Sequence, residues 1–283
     1  MSHAPVIAPS DVDAAVGALH EHGLVVLAGA ADADALRALK ERMDRDTVRL
    51  LEYCAQIGAA ALQTGHLTQG PPPYPPFLHE SVLAHPHVWA MAHRLLGPGA
   101  ALLYYSGNTN CPGSGFQPVH IDQPHAYDGT TPMSTLVLSI PVQDISAHNG
   151  AMEVWPGTHT LATEPRVSEA RLDERRTVRP PFQIEAAVGD IVIRDARMWH
   201  RGVTNPSDEY RHLISVVLHA SPRTHVAFDH SARPFVESVD VNLNATYDDL
   251  REDYLFGPTR WLTEAQQGVA TDQETTAKPL ADI

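Results

Sequence analysis

The chain has 283 residues, 43% hydrophobic and 19% charged, which is the composition of a folded globular protein and not of a disordered one. A formal net charge of -14 excludes sequence-independent nucleic-acid binding, which needs a basic surface, and leans towards a neutral or cationic small-molecule substrate. Cys54 and Cys111 form neither a CxxC pair nor a disulfide framework, no signal-like or membrane-spanning apolar run is present, and a cytoplasmic setting is expected.

In chain order, "PSDVDAAVGALHEHG" predicts a short amphipathic helix, with Ser10 or Asp11 as cap and Gly23 as terminator. "LVVLAG" reads as a strand, and "DADALRALKERMDRDTVRLLEYC" as a longer helix with clear helical periodicity. Residues 57–80 are rich in Gly, Pro and Gln and read as a long loop of the kind that binds or covers a ligand. Within it Gln63, Thr64, His66 and Gln69 are candidate substrate contacts. "SVLAHPHVWAMAHRLLG" predicts a helix interrupted near Pro86.

From about residue 100 the character changes. "ALLYYSG", "QPVHID", "STLVLSIPVQD", "AMEVW", "FQIEAAV", "DIVIRD" and "HLISVVLHA" are short β-rich runs separated by Gly, Pro, Asn and Asp. That rhythm predicts an antiparallel sandwich or barrel. The polar tail from about residue 264 is expected to lack fixed structure. The economical organisation is one domain: a helical N-terminal part over about 10–98, an all-β core over about 100–222 and an extension over about 223–283.

Chemistry concentrates in "GFQPVHIDQPHAYDG", residues 115–129. On a strand, positions two apart share a face, so His120 and Asp122 project together. Two such groups alone are equally a metal half-site, an acid–base couple or polar decoration. The segment "GDIVIRDARMWHRGVTNPSDEYRHLISVVL" adds His200, a turn at Asn205-Pro206-Ser207-Asp208 and then Arg211 opening another strand. Folding at that turn is expected to bring His200 and Arg211 close, on neighbouring antiparallel strands. Two His and one carboxylate are the ligand set of the facial triad on non-haem Fe(II), and an Arg nearby can clamp a carboxylate through two parallel bonds.

The combination of His120, Asp122, His200 and Arg211, in that order, resembles the Fe(II)/2-oxoglutarate dioxygenases, in particular the phytanoyl-CoA dioxygenase-like (PhyH) family. "PGSGFQPVHID", "NGAMEVWPGTH" and "WHRGVTNPSDEYR" resemble three of that family's segments, and the resemblance covers most of residues 10–222. It implies a double-stranded β-helix (jelly-roll, cupin-like) with the N-terminal helices packed outside. It further implies Fe(II) on His120, Asp122 and His200, and 2-oxoglutarate chelating the iron with its far carboxylate on Arg211. O2 would be the oxidant, and an unactivated C–H bond of a small molecule the target. Hydroxylation is the leading outcome, with ring closure, epimerisation and desaturation as variants, in natural-product biosynthesis. Relatives that halogenate typically carry Ala or Gly in place of the carboxylate, so Asp122 argues against halogenation.

Secondary candidates follow from position. Ser215 and His219 alternate with Arg211 on one strand face and so face the interior, where Ser215 would contact the cosubstrate. Gln117, by strict alternation, would point away from the ligands with Val119 and Ile121, whereas the resemblance favours a cosubstrate contact. His125 and His159 either line the pocket or are ordinary loop histidines; Thr158 caps a turn, and Trp199 packs in the core. Two rival readings stand beside the oxygenase. A cupin-type isomerase or epimerase without 2-oxoglutarate would leave Arg211 unexplained, and a non-catalytic ligand-binding barrel would leave the intact triad unexplained.

Overall fold

Helix caps written in the sequence set the N-terminal part. The Asp11 side chain accepts from Ala14 N at 3.1 Å and starts α1 (Val12–His22), and Asp32 accepts from Asp34 N and Ala35 N to start α2 (Ala33–Ile57). Each helix ends on a left-handed glycine, Gly23 at φ 80° and Gly58 at φ 67°, a conformation that a side chain would resist. The structure, a computed structural model, describes residues 3–59, 61–122, 126–251 and 253–257; the side chain of Gln63 lies outside the described set. His125 and the tail from about residue 264 also fall outside it.

The remaining elements are short. β1 (Val6–Ile7) precedes α1, and β2 (Leu24–Leu27) follows it. After α2 come α3 (Ala61–Thr64), β3 (His66–Thr68), α4 (Glu80–Leu83) and α5 (Pro86–Leu96), with Pro86 in the first turn of α5, where its missing N–H costs nothing. The strand-rich part runs β4 (Ala101–Asn110), β5 (Thr135–Pro141), β6 (Glu153–Val154), α6 (Glu169–Val178), β7 (Phe182–Gln183), β8 (Ile191–Asp195), β9 (His200–Arg201) and β10 (Arg211–His219). β11 (Val226–Asp229), α7 (Arg233–Ser238) and β12 (Ala245–Asp248) complete the order.

The result is a sheet-rich core with helices. One sheet has the order β1-β2-β8-β5-β10-β4-β3, a second the order β7-β6-β9, and β11 pairs with β12 alone. Alternation along the central strands divides the large sheet into two faces. Leu136, Leu138 and Ile140 of β5 and Ile214, Val216 and Leu218 of β10 pack against Leu19 of α1, Leu36 and Met43 of α2 and Met91 of α5. The opposite face carries Val26, Val192 and Leu213, which pack on Val154 of the smaller sheet and on Met152 just before it. The same face carries Arg194, Val137, Ser215 and Val217, which line a cavity.

Three expectations are corrected here. Residues 57–80 are not an unstructured lid, because β3 pairs with β4 and α3 sits before it. "QPVHID" is not a regular strand; Pro118 has no N–H to give, and a β-bridge forms only at His120. His200 and Arg211 do not sit on neighbouring strands, since β9 pairs with β6 while β10 pairs with β4 and β5. The Asn205 turn instead carries the chain from one sheet to the other. Its side-chain nitrogen donates to Asn110 O at 3.0 Å and Glu209 O at 2.7 Å, which fixes the crossover.

The face assignment has a direct consequence for stability. Ile214→Ala empties a fully buried site between sheet and helices and should cost about 2–5 kcal/mol. Val217→Ala, on the cavity side of the same strand, should cost clearly less. Urea unfolding midpoints of the two variants test this ordering.

Candidate metal centre

The extended segment 117–122 is tied to the chain around β9. Gln117 N donates to Gly202 O at 2.9 Å, and His120 and His200 exchange two backbone hydrogen bonds of 3.0 Å each. Asp122 N donates to Ala196 O at 2.9 Å. His120 and His200 are therefore directly opposed on paired chains, which brings their imidazole centroids to 4.3 Å. On the other side the segment bonds to residues 165–167, so it is held at both edges.

Three ligand atoms converge. His200 Nε2 lies 3.4 Å and His120 Nε2 3.8 Å from Asp122 Oδ1, and the three donor atoms all fall within 4.8 Å of one another. The other ring nitrogens are engaged: His120 Nδ1 contacts Pro118 O at 2.9 Å and His200 Nδ1 contacts Met198 O at 3.0 Å. A carbonyl only accepts, so each Nδ1 carries the proton and each Nε2 presents a lone pair to the shared point. Loss of solvation, then His200, push the His120 imidazole down to about 4, which leaves it neutral and able to ligate.

Asp122 is supported from behind by Arg194, whose Nη2 bonds Asp122 Oδ2. Burial would raise the Asp122 carboxyl, but Arg194 first and the two imidazoles after it hold it well below the usual carboxylate range. Two imidazoles and one ionised carboxylate on one side of a cavity fit a divalent first-row metal that keeps open positions, Fe(II) among them.

The triad opens on a cavity of about 820 Å³. Arg211 lines it too and is 1% exposed. Its Nη2 donates to Gly150 O at 3.1 Å, while Nε and Nη1 are buried without a partner. Burial pushes this guanidinium down to about 10, so it stays cationic at neutral pH. A buried cation with two unmet donors is costly, and an anion brought into the cavity would relieve it.

The secondary candidates separate. Ser215 and His219 line the cavity as expected; Ser215 stands opposite Ser106 and Ser139 on the flanking strands, and His219 Nδ1 accepts from Ser221 N at 2.9 Å. Gln117 also lines the cavity, because the irregular stretch at Pro118 breaks the alternation that would have turned it away. Its Oε1 accepts from Gly202 N at 2.8 Å. Trp199 is buried against Trp155, and Thr158 accepts from Trp199 N at 2.9 Å, so Thr158 steadies the residue before His200. His159 is buried behind the site, its Nε2 against His20 O at 3.1 Å, and does not reach the cavity.

None of the described candidates in the 57–80 segment lines the cavity. Gln69 is fully buried and bonded to Thr47, Thr109 and Met43, and Thr64 contacts Ala61 O within its own turn. His66 sits behind Gly202 with Nε2 on Gly115 O at 2.8 Å, close enough to Arg211 to feel its charge. Sequence reasoning missed Arg194, Tyr104 and Arg223, all of which line the cavity. The signal for Arg194 was a charge inside the otherwise apolar run "DIVIR", on the face opposite Ile191 and Ile193.

Fold and site together define a class: a two-sheet core that presents a convergent His–Asp–His cluster and a buried arginine to one cavity. The chain belongs to the phytanoyl-CoA dioxygenase (PhyH) family, whose profile matches residues 19–213. That family consists generally of Fe(II)/2-oxoglutarate oxygenases, which makes a dioxygenase-like function the coarse assignment. The fold is also that of the crystal structure of AviO1 from Streptomyces viridochromogenes Tue57, 19% identical, with a TM-score of 0.51 over 76% of this chain and 98% of that one. Among the described residues, no helix is long and apolar enough to cross a membrane.

Close packing behind the triad makes one position intolerant. A Cβ at Gly202 would stand 2.6 Å from Gln117 Oε1 and 2.6 Å from His66 Cε1, both short of contact distance. Gly202→Ala should therefore displace Gln117 and cost about 1–3 kcal/mol, read by urea unfolding of the metal-free protein.

Proposed function

We propose that the chain is an Fe(II)- and 2-oxoglutarate-dependent dioxygenase that oxidises an unactivated C–H bond of a small molecule in natural-product biosynthesis, with hydroxylation as the outcome. The observation that carries this is the pairing of the convergent Nε2, Nε2 and Oδ1 atoms with an unmet buried guanidinium in the same cavity. Either feature alone has other uses. An isomerase or epimerase without 2-oxoglutarate leaves the Arg211 donors idle, and a binding-only barrel leaves the triad idle.

In this reading His120, Asp122 and His200 hold Fe(II), and the two sheets close as a double-stranded β-helix around it. Iron held there, together with 2-oxoglutarate and O2, would supply the oxidising power. Arg211 receives the carboxylate of 2-oxoglutarate remote from the metal, with Ser215 and Gln117 lining the same cavity. Arg194 keeps Asp122 ionised and oriented. Leu213, Val137, Val217 and Met152 give part of the cavity wall an apolar surface. Ring closure, epimerisation or desaturation would use the same residues and would be decided by which atoms the substrate presents. The setting is the cytoplasm.

The test is anaerobic addition of Fe(II) and then 2-oxoglutarate to metal-free protein, followed by the weak visible charge-transfer absorption of the chelate. Wild type should develop the band. Asp122→Ala should lose it together with metal affinity. Arg211→Ala should retain the metal but need on the order of a hundredfold more 2-oxoglutarate, as expected when a buried charge partner is removed. Iron binding without any band in wild type would favour the isomerase reading.

A further inference from the structure

The local charge of the cavity opposes that of the chain. The chain carries 34 Asp and Glu against 20 Lys and Arg, yet among the described residues Asp122 is the only acidic side chain lining the cavity. Arg194, Arg211 and Arg223 line it together with His219. Asp122 and the cosubstrate's remote carboxylate would account for two charges, on Arg194 in part and on Arg211. That leaves cationic donors in excess.

Arg194 is the informative one. It is 4% exposed, and only Nη2 is engaged, on Asp122; Nε and Nη1 are buried with no partner. Support of Asp122 uses one donor of a residue that lines the cavity, and leaves its other two without a partner. Its place along the sheet also differs from that of Arg211. Arg194 stands opposite Val137 on β5, and Val137 in turn opposite Val217 on β10. Val217 is six positions along β10 from Arg211, about 20 Å of strand. Two arginines in such different rows cannot serve the same end of one five-carbon diacid through similar geometry. Arg223 sits at the rim, beyond His219 in the chain, and extends the cationic wall towards solvent.

We propose that Arg194, with Arg223 at the rim, forms a second anion subsite in this cavity, and that the substrate carries a carboxylate that docks there. This rests on the dioxygenase reading, and it replaces the neutral or cationic substrate that net charge suggests with an anionic one. A monoanion suits the site better than a phosphate dianion, because Asp122 already neutralises part of the Arg194 charge. The substrate carboxylate would accept from Arg194, so one guanidinium would fix both the metal ligand and the substrate's position relative to it. Arg194 is thus a specificity-determining residue as well as a positioning one.

The test uses full-length Zn(II)-loaded protein, diamagnetic and inert to O2, with 2-oxoglutarate saturating so that Arg211 is occupied. Acetate and benzoate are titrated against acetamide and benzamide, which match them in shape but lack the charge. The acids should bind saturably and on the order of tenfold more tightly than the amides. Arg194→Lys keeps a cation beside Asp122 but lacks the planar donors, so acid binding should fall about tenfold, and by clearly more than 2-oxoglutarate binding does. Arg223→Gln should weaken acid binding by a smaller factor. Independently of any variant, the Arg194 Nε–H resonance of wild type should shift on adding acetate. Amides that match the acids, acid binding untouched by Arg194→Lys, or an Arg194 resonance that does not move would each overturn the proposal. Failure of 2-oxoglutarate itself to bind wild type would instead strike the dioxygenase reading, and the acetate response would still report on Arg194.

Discussion

The site turns on one carboxylate. Asp122 Oδ1 is approached by both imidazole Nε2 atoms, and its other oxygen is bonded to a guanidinium that is itself buried. Without Asp122, Arg194 would be an uncompensated buried charge and the two imidazoles would have only each other. With it, two chain segments that are far apart in sequence are drawn to a point: 117–122 and the stretch from the end of β8 to the start of β9. The backbone sets His120 opposite His200 through reciprocal hydrogen bonds, and the Nδ1 contacts to Pro118 O and Met198 O hold the two rings.

Around that point the large sheet separates two tasks by simple alternation. One face of β5, β8 and β10 is aliphatic and carries the helices, and the burial there anchors the strands that must hold still. The other face carries Arg194, Ser215 and Arg211 towards the cavity, where unmet donors are tolerated because the hydrophobic face stabilises the fold. Arg194 and Arg211, each with two unmet buried donors, are the two such residues that line the cavity among the described residues.

Much of this was legible in the sequence, and the reasons are physical. The His120–Asp122 spacing puts both groups on one side even where the extended segment is irregular, and the caps at Asp11 and Gly23 are local chemistry that needs no tertiary context. Three things were hidden. Alternation says that Arg194 and Ile193 face opposite ways, but not which way the cavity lies. A turn at Asn205 reads as a hairpin, yet the same residues can pass the chain between sheets when Asn110 anchors them. A Gly- and Pro-rich stretch such as 57–80 reads as a binding loop, whereas Gln69 and His66 are consumed by hydrogen bonds within the core. Each of these depends on contacts between distant segments, which local pattern does not encode.

The most direct measurement is a crystal structure of the protein prepared anaerobically with Fe(II) and 2-oxoglutarate. It should show one iron bonded to His120 Nε2, His200 Nε2 and an Asp122 oxygen, with the keto acid completing the coordination and its remote carboxylate on Arg211. Iron held elsewhere, or 2-oxoglutarate absent from the Arg211 end of the cavity, would contradict the assignment of this fold to 2-oxoglutarate chemistry.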